Sequence, residues 1–191
     1  MSEGAESSAA PAVEGGCVAS EAEDPATSQR LLAFLEAQGF QFTRLTHAPT
    51  RTCEESAAVR GVDVASGAKA MLLKCSKNLP HGTPYLLAVL SAAKKADLKS
   101  LRASLGQKSV SLASREDVKR LTGCIPGAVP PFGSLFPGVK TYADPSILSR
   151  ETMNFNCGLQ TLSVVGLLVC DFVKAECPTT LEFAAKEEGE A

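Results

Sequence analysis

The run Gly123-Cys124-Ile125-Pro126-Gly127-Ala128-Val129-Pro130-Pro131-Phe132-Gly133 constrains this chain more than any other stretch. Three prolines fix φ and remove three N–H donors, while three glycines supply positions where the backbone can turn through positive φ or approach a ligand closely. So stiff and apolar a loop is pre-shaped, and it is hard to explain as a connector alone. The N–H groups of Gly127, Ala128 and Val129 are expected to face something small held against the loop. The competing reading is a proline-rich turn between two elements.

A second segment, Gly67-Ala68-Lys69-Ala70-Met71-Leu72-Leu73-Lys74, reads as a short buried strand with a lysine near its start. A lysine in that position either snorkels to water or meets an anionic or carbonyl partner in a cleft.

Around these segments the chain reads as one domain with two tails. It has 191 residues, 45% of them hydrophobic and few aromatic, which suits a single aliphatic core. Residues 1–26 are rich in Ala, Glu, Ser, Gly and Pro without apolar periodicity and are expected to be a disordered acidic tail. Residues 27–178 form the expected domain, and 179–191 an acidic C-terminal tail. No apolar h-region follows Met1, so no secretory signal is expected. The apolar stretch from Leu162 to Val173 is too short for a bilayer, and a cytoplasmic protein with no membrane partner follows.

The formal net charge of −2 hides an asymmetry. Residues 28–178 hold 18 Lys and Arg against 11 Asp and Glu, residues 1–27 hold six acids and no base, and residues 179–191 hold one base and four acids. A basic body suits an anionic partner. Part of that charge lies on Ala93–Leu105, which reads as an amphipathic helix stopped by Gly106, with Leu98, Leu101 and Leu105 on one face and Lys95, Lys99 and Arg102 beside it. Those three cations are candidates for phosphate contact, the alternative being a solvated face.

Elsewhere, Thr27 is expected to cap a helix running through Gln38. Thr52 with Glu55 forms a capping box for a helix ended by Gly61, and Ser114 with Asp117 starts another. Strands are expected at 42–46, 68–75, 85–90, 109–112, 139–143, 152–157 and 160–168, making a mixed sheet with helices packed around it, an α+β domain.

The seven cysteines include no C-x-x-C, and the two histidines, His47 and His81, do not stand at ligand spacing, so neither metal nor another cofactor is expected. Cys124 and Cys157 adjoin the supposed pocket, but a thiol nucleophile would need an activating base. His47, in Thr46-His47-Ala48-Pro49, is expected to end a strand at the pocket rim.

Six elements in order, spanning roughly residues 28–175, resemble the YbaK/ProX family of aminoacyl-tRNA deacylases, the free-standing relatives of the editing domain of bacterial prolyl-tRNA synthetases. They are Thr52-Cys53-Glu54-Glu55-Ser56-Ala57-Ala58-Val59-Arg60-Gly61, the Lys69 strand, Tyr85–Leu90, the basic helix, the Gly127-x-x-x-Pro131 loop and Phe155-Asn156-Cys157-Gly158. The resemblance implies that Lys69 is catalytic. It assigns amino-acid recognition to the loop (Gly127, Ala128, Val129, Pro130, Pro131, Phe132 and Gly133) with Asn156, Gly158 and His47. The chain departs from the family after Gly158, reading Leu159-Gln160-Thr161-Leu162-Ser163 where many members carry a small polar residue and often a histidine. The implied activity is metal-independent hydrolysis of a small amino acid (Ala, Ser or Cys, for example on tRNA-Pro) from mischarged tRNA, a step of translation fidelity. Aminoacyl-tRNA is then the partner, with a synthetase or multi-synthetase complex as a further one and no DNA. The alternative is a non-catalytic tRNA-binding module of a synthetase assembly.

Overall fold

Local chemistry places most of the elements. In the computed structural model, which describes residues 24–50 and 52–186, Thr52 Oγ1 accepts the Glu55 N–H and starts helix α2 (Cys53–Arg60), which Gly61 closes in the left-handed conformation. Ser114 caps helix α4 (Arg115–Thr122) in the same way, accepting from Asp117 N–H. Helix α1 (Ala26–Ala37) departs from expectation: Pro25 occupies its N-cap position, and the Thr27 hydroxyl donates to the Thr122 carbonyl, tying α1 to the end of α4.

The basic helix is shorter than its amphipathic pattern predicts. Helix α3 covers only Leu98–Ser104, because the Asp97 carboxylate accepts from the N–H groups of Lys99 and Ser100 and fixes the first turn there. Lys95 therefore lies in the turn before the helix, while Lys99 and Arg102 lie on it; all three are exposed.

The strands form two sheets where a single mixed one was expected. Strands β1 (Thr43–Thr46), β7 (Leu162–Leu168) and β6 (Thr152–Leu159) make an antiparallel sheet in the order β1-β7-β6. The second sheet has the order β4-β2-β3-β5-β8, from β4 (Val110–Leu112), β2 (Ala68–Cys75), β3 (Tyr85–Ser91), β5 (Lys140–Ala143) and β8 (Thr179–Thr180). Its β3–β5 and β5–β8 pairs are parallel and the rest antiparallel. Leu86 to Ser91 in β3 are all buried, as an apolar run covered on both faces should be. An isolated bridge between Gly67 and Asn154 joins the sheets where β2 begins.

Two cores result. The larger packs α1, the 123–133 loop and both sheets around Phe132, whose ring meets Phe34, Phe155 and Phe172 at centroid distances of 6.1, 5.8 and 5.3 Å. The smaller, holding Leu73, Leu90, Leu101 and Tyr142, is closed by Phe183. The ordered body thus continues beyond the expected boundary at 178: Asp144 accepts from the N–H groups of Phe183 (2.6 Å) and Ala184 (2.7 Å), and Ala184 bridges to Ala96. The apolar residues Leu181, Phe183 and Ala184 supply this contact, which the acidic composition of 179–191 obscures. Residues 1–23 and 187–191 lie outside the described residues, and with them most of the expected N-terminal tail and the last five residues of the C-terminal one. No helix among the described residues is long and apolar enough to cross a membrane.

Candidate active site

The start of β2, helix α2, the tip of the 123–133 loop and β6 surround a cavity of about 210 Å³. Its volume suits a single small group and lies below the usual range for a drug-sized ligand. Small side chains, Ala57, Ala68, Ala70 and Ala92, form much of its wall, and no carboxylate among the described residues lines it.

Lys69 lies in the cavity wall on the second residue of β2, paired with Leu90. Its Nζ donates to the carbonyl oxygen of Lys94 at 2.5 Å. The lysine therefore meets a carbonyl in a cleft, one of the two outcomes its position allows, and is anchored by the turn that precedes α3.

The loop is split between two roles. Pro126, Gly127 and Val129 line the cavity, whereas Ala128, Pro130, Pro131, Phe132 and Gly133 are buried and do not. The Ala128 N–H is also occupied, donating to Ile125 at 3.0 Å, so of the three expected N–H groups only those of Gly127 and Val129 stand to meet a ligand. Rigidity comes from behind: the Gly158 N–H donates to the Ala128 carbonyl at 3.0 Å. Gly158 has φ +78°, and a Cβ there would lie 2.9 Å from the Ser28 nitrogen, so only glycine fits. Gly158 thus supports the loop from outside the cavity.

Asn156 does line the cavity, and it belongs to a polar chain that the sequence did not reveal. Its Nδ2 donates to the Gly127 carbonyl at 2.8 Å, and its Oδ1 accepts from Arg60 Nη2 at 2.6 Å. Arg60 Nε donates to Ser163 Oγ at 2.9 Å, and that hydroxyl lies 2.7 Å from His47 Nε2. His47 Nδ1 is 2.8 Å from the Ala48 carbonyl, which can only accept, so Nδ1 carries the proton and Nε2 receives the Ser163 proton. His47 follows the last residue of β1, as expected, but it does not line the cavity and reaches it only through Ser163, Arg60 and Asn156.

Arg60 is the residue that sequence reasoning passed over, although it stands inside a motif singled out. Desolvation by burial lowers its pKa to about 10, with Cys53 opposing the shift; it remains a cation at neutral pH. Cys53, Thr50 and Ser56 also line the cavity. The Ser56 hydroxyl donates to the Thr52 carbonyl, leaving the Thr50 hydroxyl to donate to Ser56 Oγ at 2.7 Å.

Neither cysteine thought to adjoin the pocket lines it. Cys124 and Cys157 are 1% and 0% exposed. Burial, against the pull of Arg44, pushes the Cys157 thiol up to about 12, so it stays protonated and unreactive at neutral pH. The described residues hold no cluster of three or more His, Cys, Asp or Glu side chains placed for a metal.

A family model described as the aminoacyl-tRNA editing domain matches residues 47–168, the stretch that builds this cavity. The chain belongs to the aminoacyl-tRNA editing domain family. It is 37% identical over 163 residues to the Escherichia coli protein named multifunctional Ser/Thr-tRNA deacylase ProXp-y, covering 85% of this chain and 95% of that one. It is 30% identical over 112 residues to the prolyl-tRNA editing protein ProX of Acetoanaerobium sticklandii, covering 59% and 66%. A solved structure described as a candidate trans-editing enzyme for prolyl-tRNA synthetase superposes with a TM-score of 0.71 at 21% identity, over 84% of this chain and 98% of the other. The α+β architecture is therefore that of the editing domain.

Proposed function

We propose that the chain is a trans-editing hydrolase, which removes a small amino acid from mischarged tRNA in this cavity. The observation that carries the reading is the pairing of Lys69 with the Gly127–Asn156 wall around a space of about 210 Å³, within the stretch matched by the editing-domain model. Cavity size favours alanyl, seryl, cysteinyl and threonyl groups over larger ones, and the name of the E. coli relative adds weight to the hydroxylated pair.

In the reaction, water adds to the ester carbonyl carbon, and the bond from that carbon to the ribose oxygen breaks. The ribose oxygen takes a proton, and the free amino acid leaves. An aminoacyl ester is already activated, so positioning and stabilisation of the developing oxyanion supply much of the acceleration. Lys69 Nζ, held by one hydrogen bond to Lys94, keeps donors for the carbonyl or the terminal ribose–phosphate. The N–H groups of Gly127 and Val129 face the aminoacyl group.

Lys95, Lys99 and Arg102, on the turn and helix that follow the Lys94 anchor, are proposed to hold the acceptor arm. Association with a synthetase or multi-synthetase complex in the cytoplasm is part of the same proposal, since mischarged tRNA is most concentrated where it is made. A silent tRNA-binding module is not favoured, because Lys69 and an intact cavity are both retained. Incubation with tRNA-Pro and other tRNAs charged with Ser, Thr, Ala, Cys or Leu tests the activity. Release of the small amino acids with leucyl-tRNA spared is expected; no release from any of them overturns the reading.

A further inference from the structure

We propose that Arg60 is a specificity-determining residue, whose spare N–H donors select an aminoacyl side chain bearing a hydroxyl over one of equal size that lacks it. The inference rests on the deacylase reading and assigns a residue to a choice that cavity volume alone does not make.

Two of the five guanidinium N–H groups are used, one on Ser163 and one on Asn156. The other three have no acceptor among the described residues. Both partners are neutral, and no carboxylate among the described residues lines the cavity. Arg60 is half-buried and lines the cavity, so these N–H groups are open to a ligand that supplies an acceptor, and a ligand without one forgoes a hydrogen bond to a charged group.

Thr50 and Ser56 complete the logic from the opposite polarity. Their two hydroxyl protons are committed, to Ser56 Oγ and the Thr52 carbonyl, so toward the cavity these oxygens can only accept. The site therefore offers donors from Arg60 and acceptors from Thr50 and Ser56. A side-chain hydroxyl both donates and accepts and answers both; an alkyl group answers neither, and a thiol does so weakly. Among the other polar wall residues, Asn156 is already bonded to Gly127 and Arg60, and Lys69, tied to the Lys94 carbonyl, is assigned to the ester carbonyl or ribose–phosphate end, which leaves the side-chain hydroxyl to Arg60, Thr50 and Ser56.

The test compares seryl with 2-aminobutyryl esters on one tRNA, since the two side chains differ only by hydroxyl against methyl. A hydrogen bond to a charged group corresponds to a preference of about ten- to a hundredfold in kcat/KM for the seryl ester. Arg60→Met should collapse that ratio toward one by slowing the seryl reaction more than the other, and Arg60→Lys should recover part of it. A wild-type ratio near one or reversed overturns the inference while leaving the deacylase reading intact. An Arg60→Met protein that slows both esters equally also overturns it. The wild-type comparison stands even if the variant fails to fold. Absence of hydrolysis of every ester defeats the deacylase reading and this inference together.

Discussion

Replacing Phe132 by alanine separates the two roles of the 123–133 loop. The ring is fully buried and contacts three other aromatic rings, of which Phe172 is nearly perpendicular to it. Removing a buried phenylalanine forfeits its transfer free energy and leaves a void, at a cost of about 3–5 kcal/mol. Each aromatic pair carries roughly 0.5–1.5 kcal/mol beyond its area, which places this site in the upper part of that range. Since a domain of this size is stable by only about 5–15 kcal/mol, the variant should retain its fold with a much lower urea midpoint. Phe132→Leu, which refills most of the volume, should lose far less. Activity per folded molecule, measured well below the variant's midpoint, should stay close to wild type. A loss of less than about 1 kcal/mol together with abolished deacylation would refute the placement of Phe132 behind the cavity and return it to the amino-acid pocket.

Other outcomes follow from the same geometry. Replacing Lys95, Lys99 and Arg102 by Ala should raise KM for aminoacyl-tRNA and reduce the slope of log KM against log salt, with little change on aminoacyl-adenosine; an unaltered slope would move tRNA docking elsewhere. Desolvation opposes ionisation of Asp144, but hydrogen bonds from Phe183, Ser146 and Ala184 outweigh it and lower its pKa. Its contribution is therefore complete above the unfolded carboxylate pKa and is lost as pH falls through the lower folded value. Asp144→Asn should accordingly flatten the acid limb of the stability–pH profile, and an unchanged limb would show that the C-terminal clamp carries no charge dependence. Cys157 should resist iodoacetamide at pH 8 in the folded protein, while the exposed Cys170 and Cys177 are alkylated; equal labelling rates would contradict the burial.

The sequence made some of this plain for identifiable physical reasons. Caps are local, so Thr52 and Ser114 placed their helices correctly, and the apolar runs of β2 and β3 are visible as runs. Lys69 stood out because a cation beside a buried strand is unusual. What escaped depended on contacts distant in sequence. Arg60 meets Ser163 and Asn156 about a hundred residues away, and nothing local distinguishes it from an ordinary helix-ending arginine. Phe132 looked like a pocket residue because stiffness marks the loop but does not say which side faces the core. The two-sheet division and the docking of Phe183 likewise arise from tertiary pairing, which acidic composition conceals.

Hydrolysis in the cavity beside Lys69 requires that lysine for the chemical step and not for tRNA binding or folding. Single-turnover hydrolysis of seryl-tRNA by wild-type protein and Lys69→Ala, with tRNA binding and thermal stability measured on the same preparations, tests it most directly. Lys69→Ala should bind tRNA and melt close to wild type but no longer release serine. A folded Lys69→Ala protein that hydrolyses the ester at the wild-type rate would contradict it.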